Sequence, residues 1–127
     1  MLFLNAVNAT SSSPSLRLLR TVESRSRPLR CVAVGGYPPP SVQVYVGARD
    51  VSRQFEFSNS LSLSSGARGL RHIRVRSDRW NKEFEVAAED DGSVIKCVAV
   101  VPGMKPTVQR IQLHVDCKYY IPHCCSG

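Results

Sequence analysis

An all-β fold of two antiparallel sheets packed face to face is what this 127-residue sequence predicts. Three observations carry it. Cys31 and Cys97 each lie inside an apolar run, Leu29-Arg30-Cys31-Val32-Ala33-Val34 and Val94-Ile95-Lys96-Cys97-Val98-Ala99-Val100-Val101. Other apolar residues recur with period two over much of the middle of the chain, as one-sided strands require. Nothing between residues 27 and 115 repeats with helical spacing.

The elements follow in order. Residues 8–14, Asn-Ala-Thr-Ser-Ser-Ser-Pro, are small and polar, so residues 1–24 are expected to be a disordered leader or inter-domain linker. The first core strand starts near Arg27, with Leu29, Cys31 and Ala33 on one face and Arg30 on the other. Gly35-Gly36-Tyr37-Pro38-Pro39-Pro40 stops it, because three prolines lock an extended, donor-poor loop. Residues 41–47 restart the pattern with Val42, Val44 and Val46 facing one way and Gln43 and Tyr45 the other. A turn at residues 47–50 leads into a strand over 51–57 in which Phe55 and Phe57 share a face, and the Ser/Gly-rich stretch 58–69 reads as a loose connection. Residues 70–76 have a thin apolar side and read as an edge strand, whereas residues 80–88 read as a separate, firmer one with Phe84, Val86 and Ala88 together. Glu89-Asp90-Asp91-Gly92 turns into the second cysteine strand, with Ile95, Cys97, Ala99 and Val101 inward. The last strand runs over 108–115 with Ile111, Leu113 and Val115 inward, and Val108, on the wrong parity, calls for one bulge near Gln109 or Arg110.

Composition narrows the class. Hydrophobic residues make up 43% and charged residues 21% of the chain, ordinary proportions for a water-exposed domain. No stretch approaches the roughly 20 apolar residues that cross a bilayer as a helix, so this chain is not expected to insert in a membrane. The apolar start at Leu2, Phe3 and Leu4 lacks a basic flank, as a truncated signal peptide of a longer exported protein would. Five cysteines are an odd count, so Cys117, Cys124 and Cys125 leave the tail at 119–127 open to more than one pairing. The net charge of +7 gathers in two arginine clusters, one early in the chain and one at Arg68, Arg71, Arg74, Arg76 and Arg79.

The run from Leu29 through Pro40, then Val44-Tyr45-Val46-Gly47, then Glu89 through Ala99 resembles the immunoglobulin superfamily. In detail it is similar to C2-type or I-type domains of cell-adhesion and axon-guidance receptors, the nephrin-like group among them. The resemblance covers residues 27–119, implies an immunoglobulin-like sandwich over 25–118, and implies an inter-sheet disulfide between Cys31 and Cys97. It also implies further domains around this one. Two departures stand out: Val44 occupies the position where the family packs a Trp on the disulfide, and Ile95 replaces the corner tyrosine two residues before the second cysteine.

No catalytic, metal or cofactor motif accompanies this pattern: there is no G-x-S-x-G elbow, no H-E-x-x-H pair and no phosphate-cradling glycine loop. His72, His114 and His123 lie apart, and the tail cysteines lack the C-x-x-C spacing of a zinc site. The expected function is a non-enzymatic extracellular recognition module of a larger cell-surface receptor. Its partner would be another cell-surface protein, of the same or a different kind, contacted by Tyr45, Arg53 and Phe55. Arg71, Arg74, Arg76 and Arg79 would serve heparan sulfate as a further ligand, by guanidinium contacts to sulfates. Nucleic acid fits poorly, since no aromatics interleave these arginines. Asn8-Ala9-Thr10 is a glycan acceptor on a secreted chain. A spacer domain without a ligand and an intracellular scaffold domain with reduced Cys31 and Cys97 are the alternatives.

Overall fold

Ten strands form two sheets in the computed structural model, which describes residues 2–6, 10–13, 16–35, 38–65 and 71–117. They are β1 (Leu2–Ala6), β2 (Thr10–Ser13), β3 (Leu16–Val22), β4 (Arg27–Gly35), β5 (Ser41–Val46), β6 (Arg49–Asp50), β7 (Glu56–Ser65), β8 (Arg71–Phe84), β9 (Val94–Val100) and β10 (Thr107–Asp116). One sheet has the order β1-β4-β8-β7 and the other β2-β3-β10-β9-β5-β6. Neighbouring strands are antiparallel, except that β3 runs parallel to β10.

Alternation explains which side chains meet between the sheets. Leu29, Cys31 and Ala33 of β4 face Val42, Val44 and Val46 of β5, Ile95, Cys97 and Ala99 of β9 and Ile111, Leu113 and Val115 of β10 in one buried cluster. Cys31 and Cys97 are bonded across it, their Cα atoms 6.3 Å apart, within the span a disulfide bridges without backbone movement. Val44 lies opposite Cys97 in the ladder and is 0% exposed, so it does occupy the site beside the disulfide. Ile95, also buried, stands where a corner tyrosine would.

The turn before β9 is held another way. Asp91 accepts the Val115 N–H at 2.8 Å, and Asp90 accepts the Ala87 N–H at 2.9 Å while pairing with Arg49 at 3.2 Å. Gly92, with φ at 79°, lets the chain reverse so that Leu113 and Ser93 bond backbone to backbone. These carboxylates are structural acceptors.

Several expectations need correction. Residues 1–24 are not simply a disordered leader: β1 pairs with β4, β3 pairs with β10, and Leu2, Leu4 and Leu19 are buried, with Leu4 opposite Cys31. Period-two burial of Leu2 and Leu4, and of Leu19 and Thr21, outweighs the Ser/Asn content around them. The stretch read as a loose connection from residue 58 is strand β7, and the strands read separately over 70–76 and 80–88 are one strand, β8, which lies inside its sheet rather than at the edge expected for 70–76. The expected strand over 51–57 is instead a 3₁₀ turn at Ser52–Gln54 leading into β7. The Ser52 hydroxyl accepts the Val44 N–H at 2.8 Å and donates to the Val44 carbonyl at 3.3 Å, fixing that turn against β5. No bulge interrupts β10 against β9; Val108 stays on the outer side, opposite Val98.

Candidate functional site: the outer face of the six-stranded sheet

The residues that alternate away from the core on β5, β9 and β10 form one continuous surface. Because directly opposed residues share a face, the ladder sets Val98 between Gln43 and Val108, and Lys96 between Tyr45 and Arg110. Val94 lies opposite Gln112, whose other neighbour is Leu18 of β3. Val94, Val98, Val100, Val108 and Leu18 are all half-buried; Val98, Val100 and Val108 adjoin as a short apolar strip, and the Tyr45–Lys96–Arg110 row separates them from Val94 and Leu18.

Charge borders this strip. Lys96 lies over the Tyr45 ring at 6.0 Å from its centre, and the Tyr45 hydroxyl donates to Gln43 Oε1 at 2.8 Å. Neither Lys96 nor Arg110 forms an ion pair with a described residue. Toward β3, Arg20 is engaged by Asp116 at 3.0 Å, a pair that holds the Asp116 carboxyl below its usual range through the hydrogen bond and then the charge of the guanidinium. An apolar strip with unpaired cations beside it can seat a protein surface that brings aliphatic side chains and carboxylates.

Of the residues expected to contact a partner, Tyr45 is on this face and half-buried. Arg53 is exposed on the Ser52–Gln54 turn. Phe55 is not a contact residue: it is 5% exposed and packs on Phe84 with ring centres 5.3 Å apart. The turn directs it inward, so the three residues do not form one site.

The arginine stripe also divides. Arg74 and Arg76 are exposed on the outer face of the four-stranded sheet, Arg71 begins β8, and buried Val75 and Ser77 mark the inner parity. Arg79 shares that inner parity and is used up in the fold: its Nε donates to the Val42 carbonyl at 3.0 Å, its Nη1 to the Ser52 carbonyl at 3.4 Å, and its guanidinium covers Phe57 at 4.5 Å. It clamps β8 to β5 across the sheets. Asn8, Cys124 and Cys125 lie outside the described residues; Cys117 is disulfide-bonded. Among the described residues no group of three or more His, Cys, Asp or Glu side chains is placed to hold a metal ion.

Val94, Val98, Val100, Val108, Lys96 and Arg110 were not among the expected contact residues. Their signal in the sequence is the β-branched residues on both parities of β9 and the off-parity Val108.

Sheet order defines the class. With β1-β4-β8-β7 in one layer, β10-β9-β5 in the other and a disulfide from β4 to β9, the fold is an immunoglobulin-like sandwich. No family model and no curated protein matches the sequence. Among solved structures the chain is similar to one described as Rst D1-D2, at 16% identity and a TM-score of 0.49, covering 91% of this chain and 48% of that one. It is also similar to the M1 domain from titin, at 15% identity and a TM-score of 0.46, covering 80% of this chain and 90% of that one. The chain thus spans about half the length of the Rst D1-D2 chain.

Proposed function

We propose that this chain is a non-enzymatic recognition module of C2 or I type in the extracellular part of a cell-adhesion or guidance receptor, and that it binds a protein partner through the outer face of the six-stranded sheet. The observation that carries this reading is the half-buried valine strip at Val98, Val100 and Val108 with Lys96 and Arg110 beside it, lacking ion-pair partners among the described residues. Isolated outward valines are ordinary; a paired Val98 and Val108 with Val100 beside them, next to an aromatic and two cations, have the make-up of an interface core and its rim. The partner's matching surface is acidic and aliphatic. The buried Cys31–Cys97 bond supports an oxidising location. Heparan sulfate is the weaker ligand class, because Arg79 is engaged by the Val42 and Ser52 carbonyls, which takes it out of the array with exposed Arg74 and Arg76.

The experiment has two arms. Chain expressed through a secretory pathway is mapped by non-reducing peptide mass, with Cys31 and Cys97 expected in one linked peptide. It is then screened against cell-surface ectodomains. A genuine partner loses at least tenfold in affinity to Val98→Asp, and to Lys96→Glu combined with Arg110→Glu, while Arg74→Glu with Arg76→Glu leaves binding intact. Free thiols at Cys31 and Cys97 in folded chain would move the protein to an intracellular setting, and binding indifferent to Val98→Asp would remove this face from the reading.

A further inference from the structure

The four sheet edges are unequal. At the ends of the six-stranded sheet, β6 has two residues, and β2 has four with a register break between Ser11 and Ser13. At one end of the four-stranded sheet β1 has five residues. These are the short or irregular edges by which sheet proteins avoid pairing with other chains. At the other end, β7 has ten residues and pairs with β8 from Glu56 to Ser65 without a register break. It contains no proline, lysine or arginine, and Glu56 is its one charged residue. Its residues 56–62 are all exposed. Half of its backbone N–H and C=O groups point away from β8, and no described residue bonds to them.

We infer that β7 is a self-association edge: two copies of this chain pair antiparallel, β7 to β7, extending the four-stranded sheet into a continuous eight-stranded one across a two-fold axis. This goes beyond the proposed binding face, which lies on the other sheet. A second copy fits the edge for three reasons. An antiparallel two-fold pairs a strand with itself, and opposed residues must share a face, so the axis passes through a single residue. With Leu61 on the axis, it meets its own copy and Ser60 meets Ser62. Leu61 is 61% exposed in the single chain, on the same side of the hairpin as exposed Ile73, and pairing covers it with an identical aliphatic group. Finally, the chain carries +7, so two copies repel over most of their surface, whereas β7 presents a neutral strip with its single carboxylate at one end, far from the axis.

Sedimentation of the disulfide-intact chain over a concentration series tests this, with hydrogen exchange read on β7. The expected result is a reversible monomer–dimer equilibrium in which amides of β7 gain protection as the dimer fills. Leu61→Lys, which sets like charges against each other on the axis, weakens the dimer at least tenfold with an unchanged melting curve. Ser60→Lys, on the opposite side of the same strand, weakens it as well and serves if the first variant does not fold. Lys96→Glu with Arg110→Glu leaves the dimer intact. A chain that stays monomeric up to about 100 μM overturns the inference, that being far above the dissociation constant of a useful contact. So does a dimer that ignores both β7 variants. A dimer abolished by the Lys96 and Arg110 changes instead would assign self-association to the other sheet, and would leave the proposed binding face standing.

Discussion

On the outer face of the four-stranded sheet Arg30 closes on Asp78 at 2.8 Å and Lys82 lies over Trp80 at 5.2 Å, so charge near its centre is met within the molecule. On the outer face of the six-stranded sheet the centre is valine, and Lys96 and Arg110 have no carboxylate among the described residues. Both faces belong to sheets fastened by the same disulfide. The difference lies in what meets the central charges: Arg30 of β4 and Asp78 of β8 hold neighbouring strands together as an ion pair, whereas Lys96 and Arg110 of β9 and β10 are left for a carboxylate from elsewhere to satisfy. A cation with an internal partner contributes to stability; one without contributes little until a partner arrives.

The largest effect comes from breaking what the two faces share. Replacing Cys31 and Cys97 together by alanine removes the bond closing a loop with a sequence separation of 66. In the chain-entropy account this is worth about 4 kcal/mol, before any cost from the small cavity left beside Val44. Urea unfolding should show the midpoint falling sharply, with both faces lost in one transition. If the face on β9 and β10 unfolded separately from the four-stranded sheet, the picture of a single core supporting both would fail.

How much of this was legible in the sequence depended on whether a strand's own residues fix its alternation. β5, β9 and β10 place aliphatic side chains at every second position, so their inward faces could be read directly from Val42, Val44, Val46, Ile95, Cys97, Ile111 and Leu113. β7 and β8 could not be read that way. Ser58, Ser60 and Ser62 of β7 are exposed, and the strand exists because β8 supplies a ladder. β8 looked broken at Ser77 and Asp78, polar residues whose burial makes sense only with partners far along the chain: Ser77 donates to the Pro40 carbonyl at 2.8 Å, and Asp78 meets Arg30. Arg79 was misplaced for the same reason, since its acceptors, the Val42 and Ser52 carbonyls, come from the other side of the sandwich. The candidate site was half visible: Tyr45 was singled out, but Val98 and Val108 became a surface only when the β9–β10 register set them side by side.

A middle-sized effect separates the faces directly. Arg30→Ala leaves the mostly buried Asp78 carboxylate without its cation, and should lower stability by about 1–2 kcal/mol, discounted because Arg30 itself is half exposed. Lys96→Ala with Arg110→Ala should change stability by no more than about 0.5 kcal/mol. Paired urea titrations of the two variants check the contrast. Equal losses would mean that Lys96 and Arg110 are structural after all, and the difference between the faces would dissolve.

Acid should produce the smallest effect, and should act on one sheet. Asp116 is held below the usual carboxylate range by the hydrogen bond from Arg20 and then its charge, and Asp50 by hydrogen bonding from Ser52, whose backbone N–H donates to Asp50 Oδ1 at 2.9 Å. Both belong to the six-stranded sheet: Arg20–Asp116 joins β3 to β10, and Asp50 lies in β6. A carboxyl whose folded-state pKa is depressed stabilises the fold at pH above its unfolded value, about 4, and that contribution disappears as pH falls through the folded value. Both groups are exposed, so the change is small and salt weakens it. The urea midpoint should therefore be flat from neutral pH down to about 4 and decline below it, and Asp116→Asn should make the decline shallower by removing one of the carboxylates that take up a proton on unfolding. A variant with the same acid slope as the parent would mean that Arg20 does not hold Asp116 in solution, leaving the β3–β10 pairing to its backbone ladder and to buried Leu19 and Leu113.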